Sequence, residues 1–336
     1  MRSCVVLAAL GVGVFGTLAA GQATKPHVNQ PHLNPMIALH AQKKPLFGLY
    51  APANRGAGGG RRGAPADTTT PPPPPPPQKT PAELVKDALA YDKSDFIFSG
   101  NMEGGVDRGI GPFTDFVNAL ANAAAPEVRW RHPLSVKTPK IAEDPAKAVD
   151  NISRQLNLGV STIVFVGVES ADEVKQGLAA MRFKSKGGTR PDEVGSAPTY
   201  WGLSDKAYRD KADVWPLNPN GELTNWTIVE SKPGLAKVRE IAAVKGISVL
   251  FPGAGTLRGV FSTTDADGKR TLDAEGWEAA IQQVLAACKE FKVPCGYPAT
   301  EADIETRMKQ GFSLFIMNWG DPGFRAIDLG RKAAGQ

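Results

Sequence analysis

The sequence predicts a single (β/α)₈ barrel, and three observations lead there. Helical and strand patterns alternate along most of the chain, eight strand–helix units can be counted, and 336 residues at 42% hydrophobic and 22% charged content supply one large core. The first 23 residues hold one arginine, an apolar run and small residues at Ala20–Ala23, the pattern of a secretory signal cleaved near Ala23. The chain is therefore expected to be exported to the periplasm or secreted, with 24–33 as a leader and 34–334 as the barrel. Cys4 would leave with the signal. Cys288 and Cys295 remain, and whether they pair stays open, because the first reads as late helix and the second as early strand.

The first strand is expected at Pro45–Tyr50, after a short helical pattern in NPMIALHAQ. The stretch 51–79 carries glycines, threonines and seven successive prolines, cannot bury a core, and reads as an insertion at the rim after that strand. A helix over Pro81–Tyr91 leads to a strand at Asp95–Ser99, and a helix over Gly111–Ala124 leads to one at Glu127–Trp130. A helix over Asp144–Leu156 precedes the strand Ser161–Val166, and a helix over Ala171–Met181 follows it. After a long loop come a fifth strand ending in Glu230, a helix over Gly234–Ala243, a strand at Ile247–Phe251 and a long helix over Asp273–Phe291. The strand Val293–Tyr297, a helix over Glu301–Lys309, the strand Phe312–Met317 and a last helix from Pro322 close the series. A net charge of +5 owes part of its excess to Arg55, Arg61 and Arg62 in the insertion. With no interleaving of basic and aromatic residues, the composition argues against nucleic-acid binding, and no stretch reads as a membrane span. Nucleophile-elbow and Walker motifs are absent.

In a parallel barrel the carboxyl ends of the strands converge on one pocket. The stretch WTIVESKPGL puts Glu230 at such an end, because Ser231 is a helix-capping type and Pro233 fits a first helical turn. Arg129 is expected to end the third strand, and FPGAGTLRG follows the sixth. A guanidinium and a carboxylate facing each other there can bind a planar acid or enolate and hold a divalent cation, or form an internal ion pair without catalysis. His132 in VRWRHP is expected near the same face, as a base or as a surface histidine.

The blocks NPMIALHAQKKPLFGLY, SDFIFSGNMEGG, PEVRW, LNLGVSTIVFVGVESADEV, GGTRPDEVG, IVESKPGL and VKGISVLFPGAGTL, in this order and spacing, resemble the HpcH/HpaI aldolase and citrate-lyase β-subunit superfamily. The resemblance covers 34–329 apart from the proline insertion. It implies a metal-dependent barrel, commonly a homo-oligomer, that makes or breaks a carbon–carbon bond beside a pyruvate enolate. It implies that Glu230 is a metal ligand, that Arg129 steadies the enolate, and that Arg190 in the glycine-rich loop serves substrate closure or subunit contact. Departures accompany it. Asn101 stands where the family has an aspartate, Gly104 replaces the histidine of an acid–base pair, and Gly255 or Thr256 occupies the place of a second metal carboxylate. Glu103 is left as a replacement ligand or base. A site with one carboxylate holds Mg²⁺ or Mn²⁺ weakly. The expected activity is a carbon–carbon lyase on a small 2-oxo acid; the alternative is a non-catalytic barrel that binds a small carboxylic acid.

Overall fold

The computed structural model describes Met1, residues 32–54 and residues 77–336. The expected signal, most of the leader and the centre of the proline insertion lie outside the described residues. The first six barrel strands are β1 (Leu46–Tyr50), β2 (Ile97–Ser99), β3 (Leu134–Thr138), β4 (Thr162–Phe165), β5 (Thr224–Val229) and β6 (Val249–Pro252). A small antiparallel hairpin, β7 (Ser262–Thr264) and β8 (Arg270–Leu272), follows, and β9 (Gly296–Pro298) and β10 (Leu314–Met317) complete the barrel. All eight barrel strands pair in parallel in the order β6-β5-β4-β3-β2-β1-β10-β9. A bridge between Leu250 and Cys295 closes β6 onto β9. The (β/α)₈ expectation holds.

Alternation sorts the strand residues between two cores. Leu134 and Val136 of β3 and Val229 of β5 face the outer layer, whereas Leu46, Phe96, Phe98, Val164, Trp226, Val249, Phe251 and Leu314 fill the barrel interior. Such rings need small neighbours. A Cβ on Gly48 would fall 2.1 Å from the Phe96 ring, and one on Gly296 2.1 Å from the Phe251 ring, so glycine at both strands makes room for an aromatic inner layer. The helix Pro35–Ala41 lies at the amino-terminal end of the barrel and sends Met36 into the interior. Glu222 fixes it by accepting the N–H groups of Leu33 (3.1 Å) and Asn34 (3.0 Å).

Two boundaries differ from expectation. PEVRW is a helical turn, Pro126–Arg129, with Pro126 in the first helical position and the Trp130 N–H donating to the Pro126 carbonyl at 2.9 Å. Its apolar–polar alternation imitates a strand, but β3 is supplied eight residues later by LSVKT. The helix expected from Gly111 begins at Val106 and runs through Pro112, which costs it one backbone donor without ending it. Cys288 and Cys295 are joined by a disulfide that ties the end of the helix Ala274–Phe291 to the approach of β9. At the rim, the Asn54 side chain accepts from the Lys79 N–H at 2.6 Å and donates to the Lys79 carbonyl at 2.9 Å, so the two ends of the insertion meet.

Candidate active site

The carboxyl ends of the strands open into a cavity of about 200 Å³ lined by residues of β1, β2, β3, β5, β6, β9 and β10 and the turns after them. Along β5 the inward row is Trp226, Ile228 and then Glu230, one residue past the strand, so two-residue periodicity aims the carboxylate into the cavity. Ser231 turns the chain away at once: its hydroxyl accepts the Gly234 N–H at 3.1 Å, capping the next helix, and donates to Glu169 at 2.6 Å. Gly253 backs the acid closely, since a Cβ there would lie 2.5 Å from Glu230 Oε2. Glu230 is 9% exposed, and among the described residues its carboxylate meets no hydrogen-bond donor or cation within bonding distance. A buried acid left open toward a cavity is poised for something that enters it.

The cation of this cavity is Lys137. It follows Ser135 on the inward row of β3 and lines the same cavity as Glu230. Its ammonium donates to Glu103 Oε2 at 2.8 Å. Burial pulls the ammonium toward its neutral form, but the hydrogen bond and charge of Glu103, joined by Tyr50 and Glu230, outweigh it and hold the group above the ordinary lysine value. Burial also pushes the Tyr50 hydroxyl up, opposed by Lys137 and reinforced by Glu103, so the phenol keeps its proton. Tyr50, Gly255 and Thr256 all line the cavity. Sequence reasoning passed over Lys137, although the apolar Leu134 and Val136 in LSVKT mark Ser135 and Lys137 as the opposite, inner row.

Three expected site residues lie elsewhere. Arg129 does not face Glu230: its guanidinium donates to the carbonyls of Ala121 and Thr199, each at 3.0 Å, and stacks over Tyr200 at 4.9 Å. Arg129 and His132 both precede β3, which puts them at the amino-terminal end of the barrel, opposite the cavity. His132 is buried there, and burial, with the charge of Arg131, pushes its pKa down. Arg190 is fully buried beside Phe183 at 4.2 Å and donates to Asn157 and to the Tyr208 hydroxyl, so it holds the loop before β5 and does not line the Glu230 cavity. Asn101 lies at the carboxyl-terminal mouth, on a second lobe beside the Glu230 cavity.

Residues 133–320 match the model of the HpcH/HpaI aldolase/citrate lyase family. The chain belongs to that family. Among curated relatives, a 2-dehydro-3,6-dideoxy-6-sulfogluconate aldolase of Pseudomonas putida is 25% identical over 166 residues, which is 48% of this chain and 59% of the relative. A 5-keto-4-deoxy-D-glucarate aldolase of Salmonella gallinarum is 26% identical over 183 residues, 52% of this chain and 63% of the relative. The chain thus spans under two thirds of the relatives it matches. In fold, a HpcH/HpaI aldolase/citrate lyase family protein from Burkholderia cenocepacia superposes with a TM-score of 0.61 at 20% identity, covering 90% of this chain and 98% of that one. Macrophomate synthase superposes with a TM-score of 0.55 at 17% identity, covering 90% and 88%. Members of the family are aldolases and lyases. No group of three or more His, Cys, Asp or Glu that could hold a metal ion occurs among the described residues, and no helix among them is long and apolar enough to cross a membrane.

Proposed function

We propose that the chain is a carbon–carbon lyase that cleaves, or in reverse forms, a 4-hydroxy-2-oxo acid through a pyruvate enolate in the Glu230 cavity. The observation that carries this reading is one cavity holding both an open carboxylate, Glu230, and an ammonium, Lys137, at the strand ends of a family barrel. The Lys137 ammonium binds the substrate carboxylate and stabilises the negative charge that grows on the oxo group. Glu103 keeps that ammonium charged and in place, and with His132 at the other end of the barrel it is the carboxylate left to take the proton of the substrate hydroxyl, directly or through water. As the C3–C4 bond breaks, its electron pair stays on the pyruvate unit as the enolate and the other fragment leaves as an aldehyde. The Tyr50 phenol, which keeps its proton, can give it to C3 and recover through water the proton that Glu103 took from the hydroxyl, so both groups return to their starting state.

The open Glu230 carboxylate also fits a divalent cation, because an acid beside an incoming anion needs positive charge. Mg²⁺ or Mn²⁺ would be held by Glu230 as its one carboxylate ligand, weakly, since Gly255 and Thr256 add no second. When bound, such an ion supplies a Lewis acid for the oxo group. A second reading, an acid-binding barrel without turnover, is favoured by the absence of histidine from the described cavity lining. Export is part of the same proposal, supported by the Cys288–Cys295 bond, since disulfides persist in oxidising compartments; so is a homo-oligomer, which sedimentation would read.

The decisive assay is pyruvate release from a panel of 4-hydroxy-2-oxo acids, using chelator-stripped protein with and without Mg²⁺ or Mn²⁺. Release that Glu230→Gln abolishes supports the lyase; binding of acids with no release in any buffer leaves the non-catalytic reading. Melting separates the metal role from the fold. Mn²⁺ should raise the melting temperature of wild type and leave Glu230→Gln unmoved, with the two proteins alike in EDTA.

A further inference from the structure

The Glu230 cavity does not end at Tyr50 and Phe98. These two side chains are a shared wall, and beyond them lies a lobe of about 650 Å³ at the carboxyl ends of β1, β2 and β10. Its floor and sides are aromatic: Phe98, Phe113, Phe116 and Trp319 all contribute, with Phe113 and Phe116 held by the helix Val106–Ala123. Trp319 is fixed edge-on against Phe324 at 5.2 Å. Its polar side chains are Ser99 and the amides Asn54, Asn101 and Asn318, and among the described residues no charged side chain lines it. The head cavity, by contrast, carries both Lys137 and Glu230.

From this contrast we infer that the lobe is the subsite for the distal part of the substrate and selects an uncharged tail, aryl or alkyl with at most hydroxyl substituents, over one ending in carboxylate or phosphate. The inference rests on the lyase reading for where the head sits, and it adds the substrate class. An apolar ring entering the lobe exchanges water for aromatic contact, whereas a carboxylate entering it loses hydration and meets no counter-charge among the described residues. A second cleft also adjoins the head cavity, at Gly255, where Arg258 and Arg270 stand on the rim. It is smaller, about 220 Å³, and touches the head cavity through Gly255 alone, while the aromatic lobe shares two side chains with it.

Binding of acids that cannot be cleaved tests the subsite apart from turnover. With calorimetry on the full chain, 2-oxo-4-phenylbutanoate should bind at least about tenfold tighter than 2-oxoadipate, since both share the oxo-acid head and differ in tail charge. Asn101→Arg and Asn318→Arg, both at exposed positions, should each narrow or reverse that ratio. Equal or tighter binding of 2-oxoadipate by wild type overturns the inference, and loss of that binding in Arg258→Ala would hand the tail to the arginine cleft. An unchanged ratio in both arginine variants overturns it as well. Should the preference hold while no hydroxy-oxo acid releases pyruvate, the lyase reading fails and the subsite stands.

Discussion

The two ends of the barrel bury charge in opposite ways. At the amino-terminal end Arg129 and Arg190 are held by carbonyl, amide and hydroxyl oxygens and by aromatic faces, and His40 stacks on Trp215 at 6.0 Å. The contacts of all three lie inside the protein, although Arg129 Nε, Arg190 Nε and Nη1 and His40 Nε2 are buried without a hydrogen-bond partner, and none of the three lines the Glu230 cavity. At the carboxyl-terminal end Glu230 is as deeply placed yet faces an open cavity, with Lys137 beside it. A buried polar group packed into the body of the protein reports on the fold, and one facing a cavity reports on a ligand.

Breaking the carboxyl-terminal end should have the larger effect, on activity. On the proposed lyase reading, Lys137→Met removes the ammonium assigned to the developing charge, and kcat/KM for pyruvate release should fall by about 10²–10³, equivalent to about 3–4 kcal/mol, while the melting temperature changes little. Steady-state kinetics beside a thermal melt check both halves.

At the amino-terminal end the lever is pH. Burial lowers the His40 pKa from 6.5 to about 4, so the unfolded chain binds the proton that the folded one refuses. That neutral histidine contributes its stability in full above pH 6.5, and the contribution is lost as pH falls from there through about 4. The loss should reach about 3 kcal/mol, and His132, shifted in the same direction, adds to it. Urea melts between pH 7 and pH 4 should show this slope, and His40→Gln should flatten it.

Arg129→Met sharpens the contrast. It strands the carbonyls of Ala121 and Thr199 and should cost about 2 kcal/mol of stability, with kcat and KM for pyruvate release by the remaining folded protein unchanged. A drop in kcat without loss of stability would return Arg129 to the site. The smallest effect is expected at the rim. Because Asn54 and Lys79 already meet, replacing 55–77 with a short Gly/Ser loop should move the unfolding free energy by less than about 1 kcal/mol. A large fall would mean that the insertion packs on the barrel.

The sequence by itself determined the barrel and placed one half of the candidate site, Glu230, at a strand end. Eight alternating units, the capped turn after Glu230 and the period of two along WTIVE depend on residues adjacent in the chain, where propensity and capping act directly. Tertiary structure decided the other half. PEVRW alternates as a strand does, but Pro126 starts a helical turn there, and a shift of eight residues moved the third strand from an arginine to Lys137. Whether a cation faces the cavity depends on which strand ends meet at the mouth and on which row of side chains turns inward. Those relations are set by pairing across the barrel, such as β2 with β3 and β4 with β5, between residues tens of positions apart. Local sequence carries no energy for such contacts until the sheet has closed.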